Sequence, residues 1–171
     1  MKTVTVRKIV AAALLAAVGI ILPQVFHRIG GQAAGAMFLP MHLPVLLAGF
    51  TLGAPLALAC AAVILTLSFA LTGMPPLPAL WMIAAQLAVL AAASGLRYEK
   101  THGFLRVSVS IVIAQIAGLL VYGLAAVPVL HLKLLAGLAL AFGGVRKAVP
   151  GFLLQIVLVP LLVRVFRRWK L

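Results

Sequence analysis

The chain has 171 residues, 65% of them hydrophobic and 9% charged, with fourteen Lys or Arg against one acid, Glu99, and a net charge of +13. A soluble domain carries about 25% charged residues, so this chain cannot cover itself with polar surface in water and belongs in a bilayer as one integral membrane domain, 1–171. A single carboxylate also excludes paired-carboxylate catalysis, an acid-built calcium or magnesium cage and an intramembrane acid relay, unless a partner chain supplies the acids.

A spanning helix needs roughly 20 apolar residues. The first run, about 9–23, follows Lys2, Arg7 and Lys8 and is expected to stop at Pro23, which lacks the N–H a helix interior needs. Its basic flank resembles a signal peptide with Ala34-x-Ala36 as cleavage site. The run lies too far from that site, so a retained first helix is expected. Residues 24–40, with Gln24, His27, Arg28, Gln32 and three glycines, read as a loop. The second run, 41–56, is broken by Gly53 and Pro55, and the third, 56–72, ends in the breaker cluster Gly73-Met74-Pro75-Pro76. The fourth, 79–96, ends at Arg97, Glu99 and Lys100. The fifth, 106–127, ends at Pro128, and the last, 148–166, ends among Arg164, Arg167, Arg168 and Lys170.

The apolar stretch from Leu130 to Val145 is short, contains Lys133 and finishes at Gly143-Gly144. It reads either as a seventh span or as an interfacial element, and charge decides between them. Six spans with both termini inside put ten of the fourteen bases on cytoplasmic flanks, leaving Arg28, Lys133, Arg146 and Lys147 outside. Seven spans would turn the arginine-rich C-terminus outward, against the positive-inside bias. The expected fold is therefore all-α: a polytopic membrane protein with six transmembrane helices in one bundle and cytoplasmic N- and C-termini. The same edge placement of Lys and Arg argues against nucleic acid, which needs a solvated basic face.

Few residues carry chemistry. Gln86, Gln115 and Gln155 lie in spans, where an unpaired amide is costly, so each is expected to face the bundle interior. Gln86, with Trp81 and Met82 about one turn before it, offers an apolar wall, an indole N–H and an amide. That combination is either a small-molecule pocket or interhelical glue. His42, between Met41 and Pro44, is a candidate pocket-rim hydrogen-bonder. His27 and His131 share its side, while His102 lies on the other. Metal ligation lacks carboxylate or thiolate help, so no metal, cofactor or catalytic residue is expected. Arg146 and Lys147 open the last span, where cations oppose the helix dipole. They serve either interface snorkelling or an anionic ligand group. Thr66, Ser68 and Thr72 recur along the third span and are expected to bond back to their own backbone. Cys60 is an isolated thiol in an apolar run and reads as a packing residue. Ala12-x-x-x-Ala16 and Ala13-x-x-x-Ala17 place small residues where another helix backbone can come close.

Four segments resemble the substrate-binding S-components of energy-coupling factor (ECF) vitamin transporters. They are Ala12-Ala13-Leu14-Leu15-Ala16-Ala17-Val18-Gly19, Phe38-Leu39-Pro40-Met41-His42-Leu43-Pro44-Val45-Leu46-Leu47-Ala48-Gly49-Phe50, Leu67-Ser68-Phe69-Ala70-Leu71-Thr72-Gly73-Met74-Pro75-Pro76-Leu77-Pro78, and the stretch from Val149 to Val163. The resemblance implies a six-helix, multi-pass protein of a prokaryotic cell membrane that is not an enzyme. It binds a vitamin or related micronutrient from outside. It works with a transmembrane coupling subunit and two ATPase subunits that supply the energy of import. It also implies that Ala12, Ala13, Ala16 and Ala17 touch the coupling subunit. Where similar proteins often carry a glutamate, this chain has Gln86, which turns the expectation toward a neutral or anionic ligand. The candidate ligand-binding residues are Gln86, Trp81, Met82, His42, Met41, Thr72, Arg146 and Lys147. The residues alone also allow a membrane assembly protein without a ligand, or an independent carrier.

Overall fold

The computed structural model describes residues 5–97 and 103–168, without the side chain of Gln32. Lys2, Glu99, Lys100, His102 and Lys170 lie outside the described residues. The elements are α1 (Val6–Phe38), α2 (His42–Leu52), α3 (Ala54–Thr72), α4 (Ala79–Leu96), α5 (Phe104–Leu130), α6 (Leu134–Gly143) and α7 (Val145–Arg168), with no strand among the described residues. Six stretches are long and apolar enough to cross a bilayer: Val6–Gly31, Ala33–Leu52, Ala54–Thr72, Ala79–Leu96, Phe104–Leu130 and Val145–Arg168. At ten residues, α6 is about 15 Å long and reaches only half of a hydrocarbon core of about 30 Å.

The first span corrects the expected stop at Pro23 and the expected loop over 24–40. The helix runs through Pro23. A proline there frees the carbonyl of Gly19, and neighbouring helices in a membrane bundle tolerate this. Pro23 is itself fully buried. The break falls at Gly30–Gly31, where Gly31 takes φ 62°, ψ −160°, a backbone that side chains with a Cβ rarely adopt. The chain folds back on itself there. The rings of Phe26 and Phe38, on either side of the break, lie 4.9 Å apart. A Cβ on Gly35 would lie 2.6 Å from His27 Cε1. The second span accordingly begins at Ala33 rather than at Met41. It ends at Gly53 (φ 92°), not at position 56, because Pro55 sits in the first turn of α3, where its missing N–H costs nothing.

The core is built round α2. All eleven of its residues are buried, against α1, α3, α4 and α7. A helix that is apolar on every side belongs in the middle of a bundle. Its closest neighbour is α4, where Gly49 meets Ser94 and the backbone of Gly95. Its C-terminal end leaves carbonyls without intrahelical donors, and Arg167 of α7 donates to the Phe50 carbonyl at 3.2 Å. A similar repair joins α5 to α7. Pro160 frees the carbonyl of Ile156, and Ser108 Oγ donates to it at 3.0 Å. Cys60 packs as expected, buried, its Sγ 3.7 Å from the Ala12 carbonyl.

Replacing Gly49 with Leu should lower stability by about 1–3 kcal/mol, the cost of overpacking a tight interior contact. Gly143→Ala, where a Cβ meets nothing within 4 Å, should be neutral. Thermal unfolding of both variants in one detergent checks the contrast.

Candidate functional site

One end of the bundle gathers the fold-back of α1, the start of α2, the turn after α3, the start of α4, the second half of α5, α6 and the start of α7. Between them lies a cavity of about 410 Å³, in the size range of small-molecule sites, roughly 300–1,000 Å³. Its walls are mostly apolar, and its polar groups are His27, His42, Gln86, Tyr122 and Lys147. Among the described residues no carboxylate lines it.

Each polar group arrives for a local reason. His42 is the first residue of α2 and is buried, because the helix it begins is the central one. Gln86 comes from α4 on the same face as the lining residues Ala79 and Ile83, spaced four and three apart as one helical face requires. Gly118 of α5 makes room for it: a Cβ there would lie 3.2 Å from Gln86 Cγ. The Gln86 side chain lies beside the His42 imidazole, close enough to interact with it, yet among the described residues neither ring nitrogen of His42 has a hydrogen-bond partner of good geometry, and nor does Nδ1 of His27. An unpaired buried polar group costs about 1–3 kcal/mol, so these nitrogens are the atoms with most to gain from a bound partner.

Of the candidate ligand-binding residues, Gln86, His42, Met41 and Lys147 line the cavity, and four do not. Trp81 is 61% exposed. It stands two residues from Ala79, about 200° round the helix, and so faces away from the cavity at the bundle's end. Trp is enriched at that level of a membrane protein. Met82 is buried but is not a lining residue. Thr72 caps α3: its Oγ1 donates to the Ser68 carbonyl at 2.7 Å and accepts from Met74 N and Gln24 Nε2, each at 3.3 Å. It thereby holds the turn whose Met74, Pro75 and Pro76 line the cavity. Arg146 is exposed and points elsewhere, one residue and about 100° from Lys147.

The sequence reading assigned His27 to an outer loop and passed over Tyr122. His27 reaches the cavity because α1 continues past Pro23. Tyr122 follows Gln115, Gly118 and Leu119 on one helical face, at spacings of seven, four and three that were available as a signal.

Gln115 and Gln155 act as interhelical glue rather than as lining. Gln115 Nε2 donates to Gln155 Oε1, and Gln155 Nε2 donates to the Leu39 carbonyl at 3.4 Å. Leu39 follows the last residue of α1 with φ 48°, ψ 52° and lines the cavity. Gln155, 0% exposed, therefore ties α5 and α7 to the cavity's lip. At the same lip Gly151 lets α7 approach closely, since a Cβ there would lie 2.6 Å from the Met37 carbonyl oxygen.

On the first helix the two small-residue stripes part company. Ala16 is buried in the core and Ala12 is half-buried beneath Cys60, so this stripe serves packing within the bundle. Ala13 and Ala17 are exposed, among Val10, Leu14, Val18 and Ile21. Of the four alanines expected to touch a coupling subunit, Ala13 and Ala17 are therefore the exposed pair, about 100° round the helix from Ala12 and Ala16.

A family model described as the substrate-specific component of ECF transporters matches residues 7–163. No curated protein and no solved structure matches the chain.

Gln155→Leu should cost about 1–3 kcal/mol by leaving the Gln115 amide unpaired in an apolar interior and by removing the second donor to the Leu39 carbonyl, which also accepts from His42 N at 3.0 Å. It should also raise proteolytic cleavage in the 30–40 segment, whereas Gln24→Ala should do neither. Limited proteolysis with thermal unfolding distinguishes the two.

Proposed function

The chain belongs to the family of substrate-specific components of ECF transporters, and from that premise we propose that its cavity takes a neutral or anionic small molecule of vitamin size. The family makes the chain the substrate-specific subunit of an ECF importer, a transport protein and not an enzyme. The observation that supports the finer reading is the charge of the lining. The cavity holds an ammonium, two imidazoles, an amide and a phenol, and no acid. A cationic ligand would meet Lys147 with no compensating charge, and a charge taken out of water without a partner is expensive. An anionic or hydrogen-bond-accepting group instead finds Lys147 at the rim, while Gln86 and the unpaired His42 nitrogens face the rest of the ligand.

The remaining proposals follow from the family. A transmembrane coupling subunit and two ATPase subunits supply the energy, because this chain has no phosphate-binding loop of its own. Ala13 and Ala17, on the exposed face of α1, are the docking positions that remain. Arg7, Lys8, Arg97, Arg106, Arg164, Arg167 and Arg168 sit at the end that carries the start of α1 and the end of α7. Arg28, Lys133, Arg146 and Lys147 sit at the cavity end. The positive-inside bias then turns both termini to the cytoplasm of a prokaryotic cell and the cavity outward.

Native mass spectrometry of the purified protein should find a retained small molecule that is neutral or anionic at pH 7. A panel of vitamins should raise the melting temperature only for members of those classes. Gln86→Ala with Lys147→Ala should abolish the shift, while Arg146→Ala should leave it intact. A shift produced by a cationic vitamin alone would overturn the reading.

A further inference from the structure

The opposite end of the bundle has a second concavity that transport of a ligand through the first does not use. It lies between the start of α5 and the last turns of α7 and encloses about 260 Å³. Gly103, Phe104, Val107, Pro160 and Val163 line it, together with Arg164, Arg167 and Arg168. Two features of the sequence make it. The proline at position 160 frees a carbonyl that Ser108 recovers, so α5 and α7 are tied one turn deeper in the bundle than the groove. The three arginines stand at i, i+3 and i+4, one face of a helix. Their work is divided. Arg167 donates to the Phe50 carbonyl and fastens α7 to the central helix, whereas Arg164 and Arg168 are exposed at the mouth.

We propose that this groove binds one anionic phospholipid. Its phosphate lies between the Arg164 and Arg168 guanidinia, and its upper acyl methylenes lie along Phe104, Val107, Pro160 and Val163. Guanidinium groups recognise phosphate through paired, charge-assisted hydrogen bonds, and the walls beneath them are apolar. A ligand that satisfies both must be charged at one end and oily at the other. The groove also lies at the ends of spanning helices, the level at which lipid headgroups sit. A free phosphate would satisfy the arginines and leave the apolar wall unused, so the lipid is the occupant the geometry favours. The site differs from a general basic belt, because Arg7 and Arg97 stand at the same end without lining it.

The test is native mass spectrometry of the full chain released from nanodiscs containing phosphatidylglycerol and phosphatidylcholine in equal amounts. One retained phosphatidylglycerol is expected in preference to phosphatidylcholine. Arg164→Ala with Arg168→Ala should reduce its retention about tenfold or more, and the paired Arg→Lys substitutions should restore part of it. Arg7→Ala with Arg97→Ala removes the same charge from the same end and should leave retention near the wild-type level. Glycerol phosphate in excess should fail to displace the lipid. Helical circular dichroism and monodispersity confirm that each variant is folded. Equal retention of the two lipids, equal loss in the Arg7/Arg97 control, or displacement by glycerol phosphate would each overturn the site. So would full lipid retention in the Arg164/Arg168 variant with loss of a co-purifying protein, which would assign the groove to a protein partner. None of these readouts depends on which molecule the cavity at the other end binds.

Discussion

A helix broken inside a bilayer frees carbonyls that lipid cannot solvate, and Arg167 and Ser108 donate to carbonyls freed in this way. The central helix ends at Gly53, and Arg167 reaches in to the carbonyl of Phe50. Proline at 160 frees Ile156, and Ser108 of the neighbouring helix takes up its carbonyl. Where the chain leaves α1 at Leu39, Gln155 adds a second donor to a carbonyl that already accepts from His42 N. Each repair also joins two helices that lipid alone would not hold together, since lipid provides no hydrophobic drive for helix association. In a chain with so few polar groups, satisfying the backbone and assembling the bundle are one task.

That economy explains why the cavity is recognisable. The Gln115 amide nitrogen is taken by Gln155, Gln155 by Gln115 and the Leu39 carbonyl, and Thr72 by its own helix end. Gln86 and His42 are the buried polar residues that face the open volume instead. Two amides at comparable depth in their helices thus have different roles, decided by what lies across from them. Gln115 meets another glutamine. Gln86 meets the bare backbone of Gly118 on one side and the cavity on the other. Among the described residues no carboxylate lies within the walls, and the proposed neutral or anionic ligand follows from that lining, since a cation would find no balancing charge.

The number of helices long and apolar enough to span, and the shortness of the helix after α5, were legible in the sequence, because length and hydropathy decide both. Breaks were less legible. Pro23 looks like a terminator, yet the helix passes through it and turns at Gly30–Gly31. A proline's cost depends on whether neighbours can take up the freed carbonyl, and that is a tertiary fact. Trp81 and Arg146 stand near Gln86 and Lys147 in sequence yet do not line the cavity, because a step of one or five residues rotates a side chain to another face. The same rotation splits Ala12 and Ala16 from Ala13 and Ala17. Residues at the right spacing, Ile83 before Gln86 and Tyr122 after Gly118, line the cavity. Helical phase, once an anchor residue is known, was the usable signal.

The two ends of the bundle divide the work along the same physical line. At the cavity end the chain doubles back at Gly30–Gly31, a short helix lies across the top, and glycines at 123, 137 and 151 allow close packing without large side chains. At the other end two side-chain bonds, Arg167 to Phe50 and Ser108 to Ile156, join α7 to its neighbours. Side chains bonded to freed carbonyls thus fix the end away from the cavity, whereas backbone contacts at glycines close the packing at the cavity end.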